Sequence, residues 1–484
     1  MLSKIDHIVV LMLENRSFDS MAGRLYDPQN PAPFNQVPRN QPFEGLAGKN
    51  LSNPISVGET EADNKKVPVG KAGSFTTPEI DPGETFEHVF FQLYGKPFSS
   101  ETASLPQSAT MDGFVTDYVH VLREQNKLAD DRQYQQVMAG YTPTMLPVLS
   151  RLANEFAICD QWFCSVPSQT WTNRSFLHAA SSSGWVNNAP YEKWLLGNHA
   201  ETIFDRILAQ NRKDLTWRVY YDKLDMVSLT LLIHFPRLSG YWKSHFSFME
   251  QFKKDAKEGN LPSYSFIEPR YFIDANDQHP PHNVLLGENL ISEVYQAVRE
   301  GKRWDRTLLI VTYDEHGGCY DHVAPPKAVP PTIKQEIGEK GFTFDRLGVR
   351  VCTLLISPYI EKGTVFRAKQ VLDGVEHDVP LDHTSIIKTI TNRWGLGNLT
   401  KRDKSAFDIS QVLTRREPRN DCPVLGPIHA VKTFTSELPL NDLQHGMIKG
   451  LSSYCKMPVP TLSNVSEALP FLEKLVRNMD VANK

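Results

Sequence analysis

Glu14 and Asn15 end one apolar run, His7-Ile8-Val9-Val10-Leu11-Met12-Leu13. Asp314, Glu315 and His316 end another, Thr307-Leu308-Leu309-Ile310-Val311-Thr312-Tyr313. Carboxylate and amide oxygens are hard donors, and two such strand ends could bring them to one divalent cation. A hydroxyl held by that cation loses its proton more readily and becomes a nucleophile. Thr170 offers such a hydroxyl, within Ser165-Val166-Pro167-Ser168-Gln169-Thr170-Trp171-Thr172-Asn173-Arg174. Thr170 equally suits a helix cap. Beside a nucleophile, Asn173 and Arg174 would hold a phosphate oxygen, since Arg supplies a planar, charged donor fork. His279 and His282 flank a proline pair in Asp277-Gln278-His279-Pro280-Pro281-His282. Either is suited to general acid work near neutral pH, and an exposed turn with incidental histidines is the plainer alternative. The segment from Asp314 to His322 gathers three acids, two histidines and a glycine pair. Acids so dense call for solvent or a cation. His383, at the start of a late helix, is explained as well by capping or packing.

The elements that carry these residues follow from pattern. Short β-branched apolar runs read as buried strands, and α/β proteins place their sites where parallel strands end. Strands are predicted at 7–13, 156–163, 215–222, 264–269, 307–313 and 349–360. Helices are predicted at 143–156, from Asn173, at 202–210, at 283–300, from His383 and near 466–479. Alternating β and α implies an α/β fold, a mostly parallel sheet with helices on both faces. Residues 28–82, rich in Pro, Asn and Gly, read as a long surface excursion. The predicted organisation is a catalytic domain over 1–415 and a C-terminal extension over 416–484 packed on it.

Lys plus Arg number 52 and Asp plus Glu 56, a net charge of −4 that gives no support for nucleic-acid binding. No apolar run reaches the ~18 residues a membrane span needs. No secretory signal is visible in the chain as given, so the expected location is cytoplasmic, or outside by a route the sequence does not reveal. The six cysteines form no CxxC pair and are expected to be reduced and mostly buried.

Four motifs carry a resemblance that runs in chain order from about residue 5 to 395: ENRSFD after the first strand, the MAGYTPTMLPVLSRLANEFAICDQWFCSVPSQTWTNRSFLHAASSSG block, HPPH and TYDEHGGCYDHVAPP. They resemble the bacterial and plant phosphoesterase family of phosphatidylcholine-preferring, non-specific phospholipases C and related acid phosphatases of the alkaline phosphatase superfamily. The resemblance implies an alkaline-phosphatase-like sheet. It implies Glu14, Asn15, Thr170, Asp314 and Glu315 as metal ligands, Thr170 as the nucleophile, and His282 with nearby His279 and His322 as proton donors. The expected reaction converts a phospholipid to diacylglycerol and a phosphorylated head group through a phosphothreonine. The alternatives are a broad acid phosphatase acting on small phosphomonoesters, and a binding protein without turnover. One departure stands out. Glu84, in Asp81-Pro82-Gly83-Glu84-Thr85-Phe86-Glu87-His88, takes the place where many relatives have His, so Glu84 takes over part of the role, His88 reaches in instead, or the chain belongs to a branch that dispenses with it.

The expected cofactor is one divalent ion. An all-oxygen set suits calcium, magnesium, manganese or iron, and superfamily precedent leans to zinc. Trp162, Trp171 and Trp185 are candidates to line a choline pocket through cation–π contact. The lack of a basic patch or amphipathic anchor predicts only transient contact with a membrane surface. The oligomeric state is left open.

Overall fold

The computed structural model describes residues 1–32, 35–39, 41–55, 65–99, 108–127, 130–332, 337–426 and 437–482. Nine strands form one central sheet: β1 (His7–Leu13), β2 (Gln36–Val37), β3 (Ala157–Cys159), β4 (Trp217–Tyr221), β5 (Phe246–Phe248), β6 (Tyr264–Ile267), β7 (Thr307–Tyr313), β8 (Thr353–Ile356) and β9 (Thr364–Phe366). Their order across the sheet is β5-β4-β6-β1-β7-β8-β3-β9-β2. Only β8 runs against its neighbours. Ile8 to Leu13 of β1 are fully buried, although successive side chains point to opposite faces. Both faces of the sheet are therefore covered, as a parallel sheet requires.

The covering helices used below are α1 (Pro147–Glu155), α2 (Thr170–Ala179), α3 (Glu192–Gly197), α4 (Met249–Glu258), α5 (Val284–Arg299), α6 (Thr384–Trp394), α7 (Asp442–Tyr454) and α8 (Val465–Ala482). They pack in two groups. α1 and α4 lie against α5, whereas α2 lies against α6 and, through Leu229–Ile233, joins α3 and α7. α5 shows why the sequence folds this way. Asn283 caps its N-terminus by accepting from Leu285 N–H, and Val284, Leu290, Ile291, Val294 and Val298 form one buried stripe.

The α/β reading holds, with local differences. The predicted strand at 349–360 shrinks to β8 and is antiparallel. The predicted strand at 156–163 divides into β3 and Trp162–Phe163, and the latter pairs with Leu381–Asp382. β2, β5 and β9 went unpredicted because runs of two or three residues carry no periodicity. β2 lies within the 28–82 excursion and forms an edge of the main sheet; 56–64 lies outside the described residues. In the C-terminal segment, α7 packs against both α8 and α3. The six cysteines are free, and all but Cys455 are buried.

Candidate active site

β1 and β7 are adjacent and parallel, with Leu13 opposite Tyr313. Their carboxyl ends therefore bring Glu14 and Asn15 beside Asp314 and Glu315, as the two strand ends predicted. Asp314 N–H donates to the Leu13 carbonyl at 3.1 Å, and Asn15 N–H donates to Asp314 Oδ1 at 2.9 Å. Asn15 takes a left-handed φ of 54°, a conformation that Asn tolerates better than most residues. Gly317 makes this turn possible: it has φ +60°, and a Cβ there would lie 2.6 Å from Asn15 Cβ.

Thr170 is the first residue of α2, which starts three residues earlier than predicted. Gln169 is the N-cap and makes no side-chain capping bond. The Thr170 hydroxyl does not cap either. It lies 3.3 Å from both Glu14 Oε2 and Asn15 Oδ1. One turn later, Arg174 pairs with the other oxygen of Glu14, donates to Met12 O at 3.1 Å, and lies 3.7 Å from Asp314 Oδ2. Arg174 faces the buried acids through Nη2, while its Nη1 is buried with no hydrogen-bond partner among the described residues, so the predicted contact with a phosphate oxygen stays open to it. The predicted role of Asn173 needs correction. Asn173 accepts from Val166 N–H at 2.9 Å and donates to Ser168 O at 2.8 Å, so it braces the loop that presents Thr170.

Glu14, Asn15, Asp314 and Glu315 are fully buried, and Thr170 nearly so. Burial, reinforced by neighbouring carboxylates, drives the Glu14 and Glu315 carboxyls well above their usual range, although Arg174 opposes this at Glu14. Asp314 Oδ2 and Glu315 Oε1 have no hydrogen-bond partner among the described residues. Orphaned buried oxygens on adjacent acids fit a divalent cation, with Glu14 Oε2, Asn15 Oδ1 and Thr170 Oγ1 completing an oxygen-rich donor set.

The histidines take different positions. Nδ1 of His282 pairs with Asp277 Oδ1 at 2.7 Å, and the ring lines the adjoining cavity. This Asp–His pair fixes the tautomer and leaves Nε2 as the working nitrogen. His279 donates from Nδ1 to Pro280 O at 2.7 Å, so its Nε2 accepts from Asn15 Nδ2 at 3.0 Å. Burial lowers its pKa, and it positions Asn15 rather than supplying a proton. His322 lies outside this cluster, bonded to Asp19 Oδ2 at 2.6 Å and Glu44 Oε1 at 3.0 Å, which corrects its predicted role.

Glu84, not His88, occupies the site. Its carboxylate accepts from Asn15 Nδ2. His88 instead faces Asp117 at 2.8 Å. Burial and the nearby Glu315 push the Glu84 carboxyl well above its usual range. Two supports escaped the sequence reading as site residues. His383 donates from Nε2 to the Asp314 carbonyl at 2.7 Å, and His316 bonds Gln92 Oε1 at 2.8 Å.

A cavity of about 530 Å³ opens beside these groups, with Glu84, Gln169 and His282 in its wall. The C-terminal segment contributes Leu438 to Asp442 to the same wall. Asp442 accepts from Gln169 Nε2 at 3.0 Å, next to the nucleophile candidate. The predicted tryptophan pocket is not there. Trp162 and Trp171 are fully buried in the core, and Trp185 packs on Trp194 beside a separate cavity.

The chain is similar in sequence to known proteins. Non-specific phospholipase C3 of Arabidopsis thaliana is 37% identical over 432 residues, covering 88% of this chain and 76% of that protein. Non-specific phospholipase C1 of the same plant is also 37% identical, covering 87% and 73%. Phospholipase C B of Mycobacterium tuberculosis is 26% identical, covering 87% and 79%. A solved structure from Vibrio parahaemolyticus, described as a protein in the alkaline phosphatase superfamily, overlaps at TM-score 0.31 and 11% identity, covering 56% of this chain and 71% of that one. The profile of the phosphoesterase family matches residues 5–397, so the chain belongs to that family, hydrolases of phosphoester bonds.

Proposed function

We propose that the protein is a metal-dependent phospholipase C that uses Thr170 as its nucleophile and takes phosphatidylcholine-type lipids. The observation that carries this reading is the Thr170 hydroxyl, 3.3 Å from both Glu14 and Asn15, beside buried acid oxygens with no partner. Glu14, Asn15, Thr170, Asp314 and Glu315 would hold the divalent ion. When bound, it would stabilise the Thr170 alkoxide and polarise the phosphoryl oxygens.

The chain's own residues account for the other steps. Thr170 Oγ1 gives up its proton to solvent and forms a bond to phosphorus while the bond to the diacylglycerol oxygen breaks. This leaves the head group esterified to Thr170 through phosphate. The N-terminus of α2 favours the anion, since its first N–H groups lack helical partners. His282, oriented by Asp277, gives a proton to the departing glycerol oxygen. The same ring then takes a proton from the water that attacks phosphorus, the bond from phosphorus to Thr170 Oγ1 breaks to release the phosphorylated head group, and Oγ1 regains its proton from solvent. Arg174, paired with the other oxygen of Glu14, holds that carboxyl in place. Ile80, Val121, Leu438 and Leu440 give the cavity an apolar wall suited to the glycerol side of a lipid.

Plant and mycobacterial phospholipases C are among the protein's relatives, and a phospholipase C and a phosphomonoesterase differ in the rates expected on the two substrate classes. Turnover of a phosphatidylcholine should exceed that of a small aryl phosphate monoester at equal concentration. The reverse order would assign the protein to broad phosphomonoester hydrolysis instead.

A further inference from the structure

Phe366, the last residue of β9, lies on the same row of the sheet as Met12 of β1. Met12 faces Thr312, the Thr312 and Thr353 hydroxyls bond at 2.7 Å, Thr353 faces Cys159, and Cys159 faces Phe366. β9 also runs in the direction of β1, since β8 alone is reversed between them. Two residues past Met12 stands Glu14, and two residues past Phe366 a hairpin starts, in which Ala368–Leu372 pairs antiparallel with Val375–Val379. The hairpin therefore springs from the catalytic edge of the sheet, four strand spacings from β1, or about 19 Å to its side. Both of its roots are tied to that edge. Arg367 pairs with Asp160, just past β3, at 2.8 Å, and His383, beyond the hairpin, donates to the Asp314 carbonyl at 2.7 Å.

Gln370 to Asp378 are all exposed. A two-stranded hairpin that packs on nothing is marginal in water. This one is closed by a tight Asp373-Gly374 turn with positive φ at both residues, and its tip is aliphatic. Val371 is 60% exposed, Leu372 49% and Val375 57%, whereas among the described residues no other helix or strand pair exposes more than one large apolar side chain. Residues opposite one another in a hairpin share a face. Leu372 faces Val375 and Gln370 faces His377, so this face carries no carboxylate and no Lys or Arg. The charges of the other face are matched: Lys369 pairs with Glu376 at 2.7 Å, and Asp378 with Arg367 at 3.1 Å. We propose that the Leu372–Val375 face lies in the surface of a phosphatidylcholine bilayer and holds the catalytic edge against it. An apolar face without net charge suits a zwitterionic surface. The remaining carboxylate of the hairpin, Asp373 at the turn, would meet the quaternary ammonium groups of that surface. Contact through a few aliphatic side chains is reversible, which lets an enzyme move from one lipid to the next.

This docking face rests on the phospholipid substrate proposed above, and two forms of one lipid separate them. Binding of the full chain to phosphatidylcholine vesicles would be read by co-sedimentation. Turnover would be read on the vesicles and on dihexanoyl phosphatidylcholine below its critical micelle concentration. Because both side chains are exposed, the chain carrying Leu372→Ser with Val375→Ser should melt at the wild-type temperature. It should bind vesicles about tenfold more weakly or worse, hydrolyse vesicular lipid more slowly, and keep wild-type turnover of the monomeric lipid. Wild-type binding should change little with added salt. Unaltered vesicle binding by the variant, no binding by the wild type, or binding that salt abolishes would overturn the docking face and leave the reaction standing. Equal losses of turnover on both forms of the lipid would overturn it too, since the hairpin would then act on the site itself. A wild-type dimer that the variant converts to a monomer, with vesicle binding unchanged, would assign the face to a second copy of the chain. Hairpin-dependent binding without hydrolysis of either form would keep the docking face and overturn the phospholipase reading.

Discussion

The hydroxyl of Thr170 lies 3.3 Å from Glu14 Oε2, across 156 residues of chain. Arg174, four residues later on the same face of α2, pairs with the other oxygen of that carboxylate. One helix face thus grips one strand end at two points, and the grip sets the nucleophile. Thr170→Ala should reduce turnover by about three orders of magnitude or more, whereas Thr170→Ser should keep measurable activity. Because Thr170 makes no capping bond, neither change should move the melting temperature by more than a few degrees. Steady-state rates and thermal melts check this. A Thr170→Ala enzyme with near wild-type turnover would remove the nucleophile from the account.

Glu14→Ala and Asp314→Ala should each lose most bound metal and activity. Removing Glu14 also leaves Arg174 buried with one fewer partner, so this variant should be the less stable of the two. Metal analysis of the purified, folded variants decides the matter. Full occupancy in both would rule out a shared ion.

Leaving-group dependence tests His282. Diacylglycerol is a poor leaving group and needs a proton, whereas a nitrophenolate does not. His282→Ala should therefore slow phosphatidylcholine turnover about 10²-fold or more and affect a nitrophenyl phosphodiester much less. Asp277→Asn should act in the same direction by releasing the ring. Equal losses on both substrates would mean that His282 does not protonate the leaving oxygen.

Stability should fall on the alkaline side for a reason outside the site. Burial opposes the charge of His322, but Asp19 and Glu44 overcome it and raise its pKa to about 9. A folded-state value above the ordinary 6.5 stabilises the protein fully below pH 6.5. That contribution fades as pH rises toward 9. It amounts to at most about 3 kcal/mol and is lessened by the partial exposure of Glu44. His322→Gln should flatten the dependence of unfolding free energy on pH between those limits, as read from denaturant titrations. A wild type equally stable at pH 6 and pH 9 would contradict it.

The parts of the site legible in the sequence were those tied to local pattern. Apolar strands ending in acids gave β1 and β7, and their register placed Glu14, Asn15, Asp314 and Glu315 together. Thr170 was legible as a residue near a helix start. The roles of Asn173, Arg174 and His322 were not, because they depend on partners such as Val166, Glu14 and Asp19, which no spacing reveals. The same holds for His383, whose bond to the Asp314 carbonyl spans 69 residues. The choice between Glu84 and His88 was open in the sequence. It was decided by the turn from Gly83 into the helix that opens at Phe86, which directs Glu84 inward and His88 toward Asp117. The tryptophans misled because proximity in sequence to Thr170 neither turns Trp171 of α2 toward the cavity nor brings Trp162 and Trp185, which lie outside α2, to it.

The central claim is a covalent bond between Thr170 and the phosphorylated head group. Its most direct measurement is rapid acid quenching of the metal-loaded protein during turnover of phosphatidylcholine, followed by peptide mass spectrometry. The account predicts a phosphocholine ester on the peptide carrying Thr170, present in the wild type, enriched in His282→Ala with a nitrophenyl phosphocholine substrate, and absent in Thr170→Ala. An adduct on another residue, or none in an enzyme that is turning over with the adduct-stabilising variant also clean, would contradict it.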